Sequence, residues 1–319
     1  MGNTVTRRGF ARIGGLAGLA AALGPELRSA QFDYPWKLGV ISDEVSLDLP
    51  KALGTFFPKY KLEWTEIRNV RLNGKSSYVY RDATPDQIGN IRKQLDDAHV
   101  KLAALDTAVY KTPLPGTKPL GKNDADLHPA QGEYERQLED LKHAADVAHK
   151  LGTNRLRIFT FARVADPDSI FQRILDELGK ALEVAKQQDV VLMVENEFSC
   201  NTATGAESAK LFKAVPDKRL MHVWDPGNCY EAGEEPFPKA WDQLDFARIA
   251  HIHLKDAEGH EWKPIGAGKI DFVGQFKALK KIKYGGTMSL ETHYKNAQRD
   301  IYTSSVESMD GLFRVLKNV

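Results

Sequence analysis

Four side chains that could hold a metal ion follow short apolar stretches at regular spacing. Glu195 lies in VVLMVENE, Asp225 in LMHVWDPGN, His253 in AHIHLKD and Glu291 in TMSLETH. Successive members are 30, 28 and 38 residues apart, which is the length of one strand–helix–strand step. Three crowded carboxylates repel one another, and a divalent cation removes this repulsion. The pattern predicts one metal ligand per strand, at the same end of four consecutive strands.

A site of this composition indicates a particular chemistry. Three carboxylates and one imidazole suit one divalent ion, with Mn²⁺ as the first choice and Mg²⁺, Co²⁺ or Zn²⁺ as other candidates. A metal that chelates a ketose carbonyl and the adjacent hydroxyl acidifies the neighbouring C–H and stabilises the resulting enediolate. The family resemblance given below implies that the partner is a small-molecule sugar or keto-sugar.

The sequence pattern of strands and helices that must position these residues predicts a single (β/α)₈ TIM barrel over residues 31–319. Predicted strands and helices alternate along this range without a break in composition, as in closed α/β barrels. Predicted strands cover 37–45, 62–68, 101–107 and 155–161, and four more end at the ligand candidates. Predicted helices cover 84–99, 133–151, 168–188, 238–248, 272–282 and 301–317, and another begins at 204 or 205. In such a barrel the carboxyl ends of the strands build the active site.

A polar stretch rich in proline and glycine, 110–132, follows the third predicted strand. It is too long for a turn, and loops of this length in a compact domain are often lids over active sites. We expect it to cover the metal site with the help of Tyr110. A surface excursion or an oligomer contact would fit the sequence equally well.

The first 30 residues predict an export signal. The segment TRRGF at 6–10 is a twin-arginine pattern, and the apolar stretch 13–23 behind it is too short to span a bilayer. We expect passage through the twin-arginine export machinery, a periplasmic or secreted location, and no stable membrane span.

Composition narrows the partners further. A formal net charge of +1 with 27% charged residues gives no electrostatic reason to expect nucleic acid or an anionic membrane as partner. The two cysteines, Cys200 and Cys229, exclude a disulfide scaffold, although the sequence leaves open whether they form one bridge. It also leaves the oligomeric state open, and a homo-oligomer is compatible with it.

The chain resembles the xylose isomerase-like barrels, which include sugar-phosphate isomerases and epimerases, ketose 3-epimerases and, more distantly, endonuclease IV. The segments that carry the resemblance are LEWTEIR, VENE, WDPGN, HIHLKD, PIGAGKIDF and GGTMSLET. The resemblance implies that Glu195, Asp225, His253 and Glu291 bind one divalent metal. It also implies that Glu195 and Glu291 exchange a proton on opposite sides of the substrate carbon.

Four further residues are candidates for binding the substrate. Glu66 and Arg68 lie at the end of the second predicted strand. Lys255 could hold an oxyanion or a carboxylate, or could instead pair with Asp256 or another acid of the barrel. Asn228 follows the end of the sixth predicted strand.

Three positions depart from the pattern of the similar family. Many relatives have histidine where this chain has Glu197 and Asn228, and often glutamate where it has Ala267. These positions shape the substrate pocket, so the departures leave the particular reaction open.

The leading hypothesis is an exported, divalent-metal-dependent sugar isomerase or epimerase that acts through an enediolate. The same chemistry followed by loss of a β-leaving group would make a dehydratase or lyase that acts on a keto-sugar or keto-glycoside. A non-catalytic sugar-binding barrel is a further alternative. A nuclease of the endonuclease IV kind would need several more histidines at the site, and the 9 present are scattered.

Overall fold

The computed structural model describes residues 35–120 and 133–319. The strands are β1 (Lys37–Ile41), β2 (Trp64–Ile67), β3 (Asn69–Leu72), β4 (Lys75–Tyr78), β5 (Lys101–Asp106), β6 (Arg155–Ile158), β7 (Val191–Glu195), β8 (Leu220–Trp224), β9 (Ile249–Leu254), β10 (Asp256–Glu258), β11 (Glu261–Lys263) and β12 (Thr287–Leu290). Eight of them close into a parallel barrel in the order β1-β12-β9-β8-β7-β6-β5-β2. The predicted TIM barrel is confirmed.

Helices return the chain between the barrel strands. They are α1 (Ser42–Val45), α2 (Leu49–Tyr60), α3 (Val79–Asp82), α4 (Pro85–Asp97), α5 (Gln137–Leu151), α6 (Phe171–Gln187), α7 (Gly205–Ala214), α8 (Pro226–Glu231), α9 (Phe272–Lys281) and α10 (Ile301–Leu316). Reciprocal capping boxes begin α4 at Thr84 and α7 at Thr204, because each threonine oxygen satisfies a free N–H of the first turn. Two antiparallel hairpins, β3–β4 and β10–β11, were not predicted.

The helix predicted over 238–248 is wrong. Residues 236–240 form one π-helical turn, and short 3₁₀ turns follow at 241–243 and 246–248. Phe237 stands between two prolines with φ −143° and ψ 132°, because a residue before proline is disfavoured in the helical region. The helix that directly follows β8 is instead the short α8, which begins at Pro226.

Strand alternation stacks a polar layer above an apolar one inside the barrel. Ala104, Met193 and Val223 form a buried apolar cluster. Side chains two residues apart on a strand share a face, so the next layer toward the carboxyl ends contains Asp106, Glu195 and Asp225. The barrel therefore delivers carboxylates to its mouth from the ends of β5, β7 and β8.

Several predictions concern residues outside this description or stay open. The predicted export signal, 1–30, and part of the predicted lid, 121–132, lie outside the described residues. Within the described chain, no helix combines the length and apolar character needed to cross a bilayer. Cys200 and Cys229 are both buried free thiols, so no bridge joins them.

His222 should make the fold sensitive to acid. It is 1% exposed on β8, with its ring 5.0 Å from that of Phe212, and burial lowers its pKa to about 3. The unfolded chain therefore binds a proton near pH 6.5 that the folded chain rejects. Stability is full above that pH and falls as the pH drops toward 3. We expect His222→Phe to remove roughly 1 kcal/mol of the stability lost between about pH 7.5 and pH 5.5, measured by urea unfolding at both pH values.

The matched control for this acid effect is His260→Gln, because the His260 side chain is 89% exposed. It should lose stability between the two pH values as the wild type does. Equal losses in all three proteins would show that His222 does not contribute to the acid sensitivity.

Candidate active site

The four predicted metal ligands converge at the carboxyl ends of neighbouring strands. One donor atom from each of Glu195, Asp225, His253 and Glu291 lies within 4.8 Å of every other. Nδ1 of His253 is 3.3 Å from Glu195 Oε1, 3.2 Å from Glu291 Oε2 and 3.8 Å from Asp225 Oδ2. All four side chains are buried. Their convergence is a finding, and metal binding stays a prediction.

Local capping and pairing fix the two central strand ends. Oδ1 of Asp225 accepts a hydrogen bond from the backbone N–H of Asn228 and so caps α8, which leaves Oδ2 to the cluster. Asn196 donates from Nδ2 to the backbone oxygen of Asp225 (2.8 Å) and accepts from its N–H (2.7 Å). The amide of Asn196 thereby ties the end of β7 to the end of β8.

The donor set fits a divalent cation. Ligand atoms around a six-coordinate ion at about 2.1 Å are about 3 to 4 Å apart, which matches the 4.8 Å limit on this cluster. Among the described residues, no well-aligned hydrogen bond reaches Asp225 Oδ2, which is buried 3.0 Å from Lys255 Nζ. Three carboxylate oxygens and one imidazole nitrogen suit Mn²⁺, Mg²⁺, Co²⁺ or Zn²⁺.

Each of the two predicted acid/base residues is held by its own arginine. Nη1 of Arg157, on β6, donates to Glu195 Oε2 at 3.0 Å. Nη1 of Arg68, just after β2, donates to Glu291 Oε1 at 2.6 Å. The arginines take the outer carboxylate oxygens, so the inner oxygens of Glu195 and Glu291 face His253.

These neighbours keep both glutamates ionised. Burial raises the pKa of Glu195, but the charges of His253 and Arg157 outweigh it and hold the pKa at about 2. Burial opposes ionisation of Glu291 as well, and there the charges of Lys255 and the nearby histidines hold the pKa well below its usual range. Both carboxylates are therefore proton acceptors at neutral pH.

Glu66 lies on the side of the His253 ring that faces away from the cluster. Nε2 of His253 lies 3.3 Å from Glu66 Oε2, and Nε2 of His251 lies 2.9 Å from Glu66 Oε1. His251 in turn lies 2.5 Å from Thr287 through Nδ1. A carboxylate behind a ligand histidine fixes its tautomer and orientation, so Glu66 directs Nδ1 of His253 toward the cluster.

The four residues predicted to bind the substrate lie in different parts of the site. Glu66 is fully buried with both oxygens toward imidazoles, which favours a positioning role over the predicted substrate contact. Arg68 and Lys255 border the cluster, the latter 2.9 Å from Glu291 Oε2 and paired with Asp225 rather than with Asp256. Asn228 donates from Nδ2 to Glu195 Oε1 at 2.9 Å. Substrate binding by these residues stays a prediction.

Four polar residues of the site were not predicted: Asn196, His251, Arg157 and the partner role of Asp106. A signal for Arg157 was present, since it is a charged residue inside the alternating strand sequence RLRIFTF. Asp106 falls inside the predicted strand 101–107 and was not predicted to be a site residue. It is fully buried 3.8 Å from Arg157, and burial raises its pKa well above the usual range.

The described part of the predicted lid packs against the barrel's outer layer. Tyr110 is fully buried, its ring lies 4.4 Å from that of Phe161, and its hydroxyl donates to the Glu177 backbone oxygen in α6. Tyr110 therefore does not cover the cluster as expected. The next residue, Lys111, reaches back toward the site and lies 3.3 Å from Glu197.

Comparison with known families assigns the fold family. The xylose isomerase-like TIM barrel family matches residues 70–312, which is more than half of the chain. The chain belongs to this family. The resemblance carried by the sequence segments is thereby confirmed at the level of the family.

Two sequence relatives align with this chain over part of their length. A candidate L-ribulose-5-phosphate 3-epimerase, SgbU, of Escherichia coli strain K12 is 30% identical over 182 residues, or 52% of this chain and 61% of that protein. An uncharacterised protein of Methanocaldococcus jannaschii is 28% identical over 120 residues, or 36% of this chain and 41% of that protein. The chain thus spans less than two thirds of either relative.

Solved structures of similar fold include an epimerase and a candidate dehydratase. A zinc-bound IolI protein superposes with a TM-score of 0.67 at 16% identity, covering 88% of this chain and 98% of that one. A candidate 3-DHS dehydratase, AsbF, of Bacillus anthracis gives 0.64 at 15% identity, with 87% and 98% covered. The 3-keto-D-glucoside 4-epimerase YcjR of Escherichia coli gives 0.62 at 13% identity, with 88% and 99% covered. At these identities the likeness shows the fold alone.

The metal prediction can be tested by removing ligands while keeping side-chain size. We expect the wild type to bind one Mn²⁺ per chain, and Asp225→Asn and His253→Gln each to abolish stoichiometric binding, because each removes one donor of the cluster. Elemental analysis after dialysis measures occupancy, and circular dichroism checks that the barrel persists.

Asp189→Asn and His260→Gln are the matched controls for metal binding, since their side chains are 84% and 89% exposed. Both should keep full occupancy. Full occupancy in Asp225→Asn and His253→Gln as well would show that these residues are not ligands.

Proposed function

We propose that this protein is an exported, divalent-metal-dependent isomerase or epimerase of a ketose or keto-sugar. The observation that carries the proposal is the pair of ionised glutamates, Glu195 and Glu291, whose inner oxygens flank His253 Nδ1 at 3.3 Å and 3.2 Å. The epimerases among the similar proteins support the same reaction class.

The two glutamates are the proton-transfer groups. Arg157 and Arg68 bind their outer oxygens, so each carboxylate is fixed in orientation with its other oxygen in the cluster. Because β8 and β9 lie between β7 and β12 in the barrel, Glu195 and Glu291 approach a centrally bound carbon from different sides. One accepts the proton and the other returns it.

The remaining residues bind the ion and the substrate oxygens. A divalent cation held by Glu195, Asp225, His253 and Glu291 would polarise the ketose carbonyl and acidify the neighbouring C–H. Lys255 is positively charged. Burial lowers the pKa of its ammonium group, but the negative charges of Asp225 and Glu291 outweigh burial and raise the pKa. Its place between these two acids suits it to hold the negative oxygen of an enediolate.

The fate of the proton decides the product. Return to the same carbon from the opposite face gives an epimer, and return to the neighbouring carbon gives an isomer. Loss of a β-substituent from the same intermediate would give the dehydratase or lyase alternative, and the dehydratase of similar fold keeps this route open. Product NMR with ketoses and 3-keto-glycosides distinguishes the three outcomes.

Solvent deuterium exchange tests the acid/base pair. We expect Glu195→Gln and Glu291→Gln to slow incorporation of deuterium into a ketose or keto-glycoside by on the order of 10² or more, since an amide cannot accept the proton. Mass spectrometry of the recovered sugar measures the exchange rate at saturating Mn²⁺.

Glu139→Gln is the control for the exchange assay, because Glu139 is exposed on α5. Its exchange rate should equal that of the wild type. Wild-type exchange in both Glu195→Gln and Glu291→Gln would show that another group is the base. No exchange by the wild type on any ketose or keto-glycoside would favour the sugar-binding alternative.

Export by the twin-arginine route can be tested in a bacterium that has this machinery. We expect replacement of both Arg7 and Arg8 by lysine to retain the protein in the cytoplasm, because the consecutive arginines are the recognised signal. Cell fractionation and immunoblotting locate the protein. Arg12→Lys is the control and should be exported, and export of the double variant in wild-type amounts would contradict the proposal.

A further inference from the structure

A cavity opens at the barrel rim beside the proposed acid/base residue Glu291. Its volume is about 370 Å³, within the range of small-ligand pockets. Helix α1, the loop after β12 and the hairpin β10–β11 contribute its walls, which include Asp43, Glu44, Trp262, Thr292, His293 and Tyr294. We call it the rim cavity.

One wall of the rim cavity is an indole. Trp262 lies on β11, and its ring is 5.7 Å from that of His293 at 85°, 6.3 Å from that of Phe198, and 5.2 Å from Lys255 Nζ. Contacts with three separate loops fix the ring while leaving it half-buried. A fixed and partly exposed indole is a surface on which the apolar C–H face of a sugar ring can pack.

Another wall offers a hydrogen-bond acceptor. The Asp43 side chain is 8% exposed, and its Oδ2 takes a hydrogen bond from Arg68 Nε at 3.1 Å. Its Oδ1 is buried and accepts no hydrogen bond from the described residues. A buried acceptor without a donor is costly, and because Asp43 lines the cavity, a small turn of its side chain would bring Oδ1 to a ligand hydroxyl there.

The rim cavity is joined to the cluster by direct contacts. Nε2 of His293 lies 3.3 Å from Glu291 Oε1 and 3.4 Å from Glu44 Oε1. Glu44 also accepts a hydrogen bond from Arg68, which holds Glu291. A ring in the cavity would therefore sit next to a ring whose carbon faces Glu291.

We propose that the rim cavity binds a second pyranose ring attached to the reacting sugar, so that the substrate class is glycosylated ketoses or keto-sugars. The proposal rests on the proposed function for the identity of the reacting ring. An indole beside an unsatisfied carboxylate oxygen matches a pyranose, which has an apolar face and hydroxyl donors. A purely aromatic substituent would stack on Trp262 but would leave Asp43 without a donor.

The test compares ketoses that differ only by an added glucose ring. Isothermal titration of the full chain, with and without Mn²⁺, gives the affinity for D-fructose and for its glucosyl derivatives turanose, maltulose, leucrose and isomaltulose. We expect at least one linkage isomer to bind at least about fivefold more tightly than fructose. In Trp262→Ala the ratio of the affinity for that isomer to the affinity for fructose should fall toward one. In Trp262→Phe, which keeps an aromatic face, most of the tighter binding should remain.

The control is Trp64→Ala, because Trp64 begins β2 at the opposite end of the barrel. It should keep the gain of the wild type. The proposal is overturned if no glucosyl-fructose binds more tightly than fructose, or if the gain survives unchanged in Trp262→Ala. A Trp262-dependent gain without deuterium exchange on any ketose would uphold the rim cavity and overturn only the proposed reaction. Deuterium exchange on fructose without tighter binding of any glucosyl-fructose would uphold the proposed reaction and overturn only the rim-cavity proposal.

Discussion

The burial of negative charge at the mouth of the barrel is the constraint on which the rest of the site depends. Five carboxylates there are at most 2% exposed: Glu66, Asp106, Glu195, Asp225 and Glu291. Ionised groups are expensive to bury unless they are paired. The chain supplies the balancing cations from β6, from the residue after β2 and from β9 and the residue after it, namely Arg157, Arg68, His253 and Lys255. The strands that carry no ligand are therefore part of the site.

Charge balance also explains why the carboxylates differ in role. Glu195 and Glu291 each have an arginine within 3.0 Å and stay ionised. Asp106 has only a 3.8 Å contact with Arg157, and among the described residues neither of its oxygens has a hydrogen-bond partner. Burial raises its pKa well above the usual range, which favours the neutral form of Asp106.

The sequence predicted what depends on local pattern and missed what depends on distant pairing. Alternation and spacing were enough to predict the barrel and to bring Glu195 and Asp225 to adjacent strand ends. The hydrogen bond between Arg68 and Glu291 joins residues 223 positions apart, and no periodicity encodes such a pair. The helix predicted from Pro238 failed because the prediction used proline's preference for a first turn and ignored the restriction that the same proline places on Phe237.

Two of the three departures from the family pattern, Asn228 and Glu197, have a polar partner. Asn228, where many relatives have histidine, donates to Glu195 Oε1 at 2.9 Å, the same oxygen that faces His253. Glu197 pairs with Lys111, which comes from the loop after β5. Both positions lie on the β5–β8 side of the mouth, and the rim cavity lies on the side of β9, β12 and β1. One side therefore holds Glu195, the proposed acid/base residue, while the other carries the proposed site for a second sugar ring. On this proposal, we expect loop changes on either side to alter the reaction or the substrate without disturbing the four convergent side chains.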